Sequence, residues 1–386
     1  MRKITSEQLT SFLVDPTPPC ISLYMPTSRR HPENQQDPIR FKNLFNEIEN
    51  TLNQTAPYRE AGGVLDRFRL LINDEQFWNH RMEGLAILGS KDLFQIFDLQ
   101  RSVKELFVVS DSFHIKPLLR AMQATDRYQI LGLNRHEARL FEGNRNSVDE
   151  VKLAEGIPAT IELALGSELS EPHLTVASYG GSAGRAHGVP SMHHGHGQKN
   201  EEVDVDNERF FRVIDRAILE HHSRPSGLPL ILAALPEHHA LFHKVSHNPF
   251  LIDEGIKFDP QSISIQQLCA EAWDVMEPHY RKRIADLVDS FEQSLSRQLA
   301  ASDLMDIAQS LIAGRVGTLL VEADRLVPGK VDSESGVIEF NDLADPDVDD
   351  LLDDLAELTL KMGGEVMVIP AEYMPSTSGA AAIYRY

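Results

Sequence analysis

Apolar residues recur along this chain with two spacings. From Ile39, the residues Phe41, Leu44, Phe45, Ile48 and Leu52 fall three and four apart, which predicts an amphipathic helix, and a second helix is expected over 64–77. Short apolar runs read as strands at 20–24, 84–88, 93–99 and 105–110. Turn residues such as Gly89 and Ser90 separate the last three, so a meander or hairpins are expected there. A short helix with Leu9, Phe12 and Leu13, capped by Ser6 and stopped by Pro16, Pro18 and Pro19, precedes them, and 26–38 is a proline-flanked loop.

A new pattern begins near Thr125. Strands at 128–133 and 137–141 flank the polar turn Asn134, Arg135 and His136, and 148–153 is a third antiparallel strand. A short helix over 158–165 has Pro158 near its start. Further on, 208–219 is a helix with Phe211, Ile214 and Ile218 on one stripe. The apolar run 230–235 has the character of a buried strand, and a helix follows at 238–245. Residues 264–301 are helical, as one helix or two, and 304–313 is a helix closed by Gly314. Strands are expected at 316–322, 337–340, 365–369 and 380–384. A helix carrying Leu351, Leu352, Leu355, Leu358 and Leu360 on its core side ends at Gly363 and Gly364. Helices alternating with strands imply sheets covered by helices, an α/β class.

Between these elements lies a stretch with no period. Residues 179–198 hold six glycines, four histidines and no acid, too little apolar surface for an element of its own, so a long loop is expected. The length, 386 residues, calls for two or three domains. A net charge of −21 argues against a protein that coats nucleic acid non-specifically, while leaving room for one local patch. Two distant cysteines, Cys20 and Cys269, indicate no disulfide framework and fit a reducing cytosol. No apolar run reaches membrane-spanning length and no signal peptide is evident, so no membrane partner is expected.

Three segments carry a resemblance. YQILGLNRHEARLFEG from Tyr128, HGHGQKNEEVDVDNERFFRVIDRAI from His194, and IAQSLIAGRVGTLLVEADR from Ile307 with the closing GAAAIYRY together resemble the archaeo-eukaryotic peptide-chain release factors, in particular their bacterial relatives with a Pelota-like domain plan. The resemblance covers most of 125–386; residues before it match only as a generic α/β domain. It implies three domains, at 1–122, 123–260 and 261–386. The middle one is expected to be ribonuclease-H-like, and the last an α/β/α sandwich resembling ribosomal RNA-binding L7Ae-type domains. It also implies a cytoplasmic protein whose partners are the ribosome and tRNA, with no cofactor and no DNA.

The family carries a Gly-Gly-Gln loop where this chain has Gly195, His196, Gly197 and Gln198. In peptide release, water hydrolyses the ester to tRNA and donors stabilise the oxyanion. The resemblance gives Gly197 and Gln198 that place, with the Gln backbone N–H as donor and its side chain excluding nucleophiles larger than water. His196 replaces the family's first glycine and adds bulk there.

Other readings of the same residues stand beside this one. Lys199, Arg209, Arg212 and Arg216 form a candidate RNA-binding set, the three arginines sharing a helix face; alternatively that face is solvated and paired with Glu208 and Glu220. His187, His193, His194 and His196, with Glu201, Glu202, Asp204 and Asp206, suggest a metal-dependent nuclease, although a mobile loop gives little coordination geometry. No metal site is assigned. The acids most simply flank and cap the following helix. His238 and His239 follow a buried strand without a nucleophile beside them and fit a helix start. The eight acids of 342–357 miss the spacing of a calcium loop and read as a solvated helix start or a docking surface for a basic partner. There is no phosphate-binding P-loop, GxSxG elbow or HExxH pair.

Overall fold

The computed structural model of the protein describes residues 9, 12–14, 16–29, 31–54, 62–123, 126–168, 196–340 and 349–386. They form a mixed α/β structure with several sheets, in two compact units. One unit joins 1–125 to 278–386; the other is the intervening 126–277. The division falls at Pro278, inside the helix Ile265–Ser296.

The first sheet has the order β3-β2-β1-β4, from β1 (Cys20–Pro26), β2 (Gly84–Gly89), β3 (Phe94–Leu99) and β4 (Leu106–Ser110). Only β2 and β3 form the expected hairpin. β4 instead crosses to pair antiparallel with β1, Ser110 opposite Cys20, because the buried β1 takes a partner on each side. Alternation along β1 splits its contacts between two cores: Ile21, Leu23 and Met25 pack under the helices Asp37–Gln54 and Gly62–Ile72, while Tyr24 faces Phe12 and Phe113. All five apolar residues from Phe41 to Leu52 that set the predicted period are buried. The helix expected over 64–77 is broken: Asp74 caps a separate turn, Glu75–Trp78, by accepting the Phe77 N–H at 2.9 Å. Ser6 lies outside the described residues.

The middle unit is a five-stranded sheet, order β7-β6-β5-β8-β9. β5 (Tyr128–Leu133), β6 (Ala138–Gly143) and β7 (Val148–Val151) form the antiparallel meander read from the sequence. β8 (Leu230–Ala233) and β9 (Leu251–Ile256) run parallel to β5. Both faces are covered. Leu131, Leu140 and Leu232 pack against Phe210, Phe211, Ile214 and Phe242, whereas Ile130, Phe141 and Ile231 pack against Leu268, Ala272 and Met276. The short helix Ile161–Leu165 begins three residues later than expected, where the Thr160 side chain accepts the Leu163 N–H.

Beyond Pro278 the second sheet of the first unit has the order β10-β16-β11-β15. It is built from β10 (Ala300–Ala301), β11 (Val316–Glu322), β15 (Glu365–Ile369) and β16 (Ala380–Tyr384). A small sheet of β12 (Pro328–Val331), β13 (Ile338–Phe340) and β14 (Asp349–Asp350) lies beside the helix Leu351–Lys361. Leu320, Ile369 and Ala381 face Phe291 of the long helix. On the opposite side Leu319, Val321 and Ala382 share a core with Ile307, Leu311 and Leu355, so helices cover both faces. Tyr24, Phe113 and Leu118 belong to that same core, which is how the two ends of the chain make one unit.

A carboxylate network closes this junction. Asp353 accepts the backbone N–H groups of Ile115, at 3.0 Å, and Lys116, at 2.5 Å. The Lys116 ammonium donates to the Arg325 carbonyl at 2.5 Å and to the Asp350 carboxylate, which also accepts from Val327 and Leu352. The solvated helix start expected here is therefore corrected: Asp350, Asp353 and Glu357 are buried, because Asp350 and Asp353 serve as acceptors for donors over two hundred residues away. Residues 341–348 lie outside the described set. No described helix is long and apolar enough to cross a membrane.

Candidate functional site

The helix that follows the Gly/His-rich stretch begins earlier than its apolar stripe indicated. It spans His196–Ile218 rather than starting at Glu208. The sequence pattern misses this first part because it holds one glycine and a run of acids and no apolar stripe. The backbone of His196, Gly197, Gln198 and Lys199 forms the first turn, whose N–H groups have no partner four residues back. Gly195, His187, His193 and His194 lie outside the described residues.

Phe210, Phe211, Ile214 and Ile218 are fully buried and anchor the helix to the middle sheet. Phe211 meets the edge of the His238 ring at 5.6 Å and Phe242 at 6.0 Å. A polar spine reinforces this anchorage. Buried Asp215 accepts the Ser246 hydroxyl at 2.5 Å and the His247 N–H at 2.8 Å, while Asn248 donates to the Ser223 hydroxyl at 2.9 Å. At the helix end the chain widens into one π-type turn, Leu219–Ser223, and there His222 Nε2 accepts the Ala154 N–H at 3.2 Å. Burial, with help from neighbouring His221, holds the His222 pKa below its usual value; burial does the same for His238, opposed by Glu237.

The opposite face of the helix is solvated. Arg209, Arg212 and Arg216 have half or more of their side-chain surface exposed. Arg212 reaches Glu208 at 2.6 Å, Arg216 reaches Glu220 at 3.2 Å, and Arg209 lies 3.9 Å from Asp206. Lys244 comes within 3.9 Å of Glu208 from the helix Pro236–Val245. Pairs this exposed are worth roughly 0–1 kcal/mol, so they leave the arginines available to a stronger anion.

Helical periodicity relates these residues to position 198. At about 100° per residue, positions 209, 212 and 216 all fall within roughly 40° of position 198, and the phenylalanines fall on the far side. The rise of about 1.5 Å per residue puts Arg209 and Arg216 roughly 16 and 27 Å along the axis from position 198. Position 199 is rotated about 100° away from this line, so Lys199 is not part of the stripe.

His238 and His239 lie in the first turns of the helix Pro236–Val245, as their position after a buried strand suggested. The His239 ring has a structural task that sequence did not show: its Nε2 bonds the carbonyls of Ala234, at 3.2 Å, and Ile256, at 3.0 Å, lying over Gly255 where a Cβ would meet the ring. Among the described residues no group of three His, Cys, Asp or Glu side chains is placed to hold a metal. Neither cysteine forms a disulfide.

Residues 127–315 match the model of bacterial archaeo-eukaryotic release factor family 3. Among solved structures, the chain is similar to an archaeal translation termination factor, aRF1, at 15% identity over 99% of this chain and 97% of that one, with a TM-score of 0.26. It is also similar to an archaeal Pelota, from a model of ribosome-bound Pelota and ABCE1, at 14% identity over 78% of each chain and a TM-score of 0.39. Dom34 of S. cerevisiae, a translation termination-like factor, matches at 13% identity over 78% of this chain and 79% of that one, TM-score 0.37. No curated protein matches the chain.

Proposed function

We propose that this protein is a ribosome-associated translation or rescue factor of the cytoplasm, and that the helix beginning at His196 is the part that approaches tRNA. The observation that carries the reading is the shared face: position 198, where the family's glutamine falls, is in line with Arg209, Arg212 and Arg216, inside the residues matched by the family model. A duplex or folded RNA strand following that line meets three guanidinium groups suited to phosphates.

In this reading the Gly197–Gln198 turn promotes hydrolysis of peptidyl-tRNA. Water attacks the ester carbonyl, the bond to the tRNA ribose oxygen breaks, and the water proton passes to that leaving oxygen. Backbone N–H groups of the first helical turn, unpaired within the helix and at the positive end of its dipole, are the donors for the oxyanion.

The three-domain plan, 1–122, 123–260 and 261–386, belongs to the same proposal. What supports a ribonuclease-H-like middle domain is the strand order, three antiparallel strands followed by two parallel to the first. What supports an L7Ae-like last domain is a sheet with helices on both faces.

The test pairs two measurements on the full chain: co-sedimentation with purified ribosomes, and release of labelled peptide from peptidyl-tRNA bound to them. The expected result is co-sedimentation by wild type and Gln198→Ala alike, with release by the wild type falling at least tenfold in the variant. Co-sedimentation without release by either protein assigns the chain a non-catalytic role on the ribosome. Absence of co-sedimentation rejects the reading.

A further inference from the structure

A second cationic feature lies in the other unit, where the two ends of the chain share a core. A cleft of about 330 Å³ opens beside the helix Lys116–Met122. Its lining includes Arg101, Lys104, Lys116 and Arg120 together with Glu105 and Asp324. Apolar side chains, among them Val103, Leu106 and Leu326, share the lining.

The lining holds four cationic side chains and two carboxylates. Glu105 pairs with Arg40 at 2.8 Å and buried Lys116 with Asp350, neither partner being a lining residue. Asp324 is left facing the cations of the lining, 3.1 Å from Arg120 and 4.0 Å from Lys104. A local positive surplus of this kind is notable in a chain of net charge −21, whose overall field repels anions.

The cleft is also preformed. Asp353 fixes the start of the Lys116–Met122 helix through two backbone N–H groups, which sets the positions of Pro117 and Arg120. Lys116 itself is 1% exposed, and its ammonium bonds the Arg325 carbonyl, next to the lining residue Leu326. Arg101 reaches the Arg120 carbonyl at 3.4 Å across the same helix. A site whose walls are already ordered loses little affinity to ordering on binding.

We propose that this cleft binds a small organic phosphate of mononucleotide size. The volume is at the lower end of that of small-molecule sites. Guanidinium and ammonium groups take the phosphate, Arg120 and Lys104 turning from Asp324 to share it, and the aliphatic side chains of the lining pack on the flat base. The ligand is distinct from the RNA proposed for the middle unit, since the two cationic features belong to different units.

The test titrates the full chain with adenosine 5′-monophosphate by calorimetry, at low ionic strength, beside adenosine, ribose 5-phosphate and inorganic phosphate. The nucleotide is expected to bind at one site, with each partial probe at least tenfold weaker. Lys104→Gln and Arg120→Gln each weaken it tenfold or more, and Leu326→Trp, at a half-exposed position, removes binding by filling the cleft; unchanged thermal melting shows that these variants fold. No heat with the nucleotide at millimolar concentration overturns the proposal, as does binding that all three variants leave intact. Inorganic phosphate binding as tightly as the nucleotide overturns the role of the apolar lining residues.

Discussion

The two faces of the helix His196–Ile218 obey different rules. One face is closed: Phe210, Phe211, Ile214 and Ile218 are fully buried, and Asp215 is tied by two hydrogen bonds to the segment after Val245. The other carries Arg209, Arg212 and Arg216 on long exposed stems with weak partners. The contrast separates fold from recognition on a single element: changes on one side alter stability, and changes on the other alter what the protein holds.

The sharpest way to break the contrast is at the closed face. Phe211→Ala is expected to destabilise the middle unit by about 3–5 kcal/mol through cavity formation, read by chemical denaturation of the full chain. A loss under about 1 kcal/mol there means that the closed face is not closed. At the open face, replacing all three arginines by glutamine changes stability by under about 0.5 kcal/mol per site, yet weakens ribosome binding and lowers its salt slope by roughly 2–3. An unchanged slope places the RNA contact elsewhere.

The smallest effect is in pH. Burial holds the folded pKa of His222 and His238 below the ordinary 6.5. The unfolded chain therefore takes up protons first on acidification, so the stability these neutral rings confer is complete above pH 6.5 and is lost as pH falls from there through their folded values. Denaturation midpoints above and below that pH measure the drop, and His222→Asn together with His238→Asn flattens it.

Much of this was legible in the chain. The helix Asp37–Gln54 and the strands β5 and β6 follow from local spacing, because each buries one face and the residues on that face repeat with its period. Non-local facts were not. β4 crosses to β1, a choice made by pairing rather than by any residue within β4. β9 carries no local signal, because it sits at the sheet edge with Asp253 and Glu254 exposed and so lacks an apolar run. Asp350 and Asp353 looked solvated because they stand among other acids, and nothing near them reveals Lys116 as their partner. For the candidate site, the arginine face was visible as a spacing, whereas its alignment with position 198 required knowing that the helix extends unbroken to His196.

The bond between Lys116 and Asp350 has a consequence for the protein during its own synthesis. The two residues are 234 positions apart, which at about 5–20 residues per second separates their emergence by roughly 12–47 s. The middle unit is complete in the nascent chain well before that bond can form, while the first 125 residues must wait for the last hundred. A chain released before residue 350 leaves the Lys116 ammonium without Asp350, and such a fragment presents an unfinished amino-terminal third to chaperones and proteases beside a finished middle.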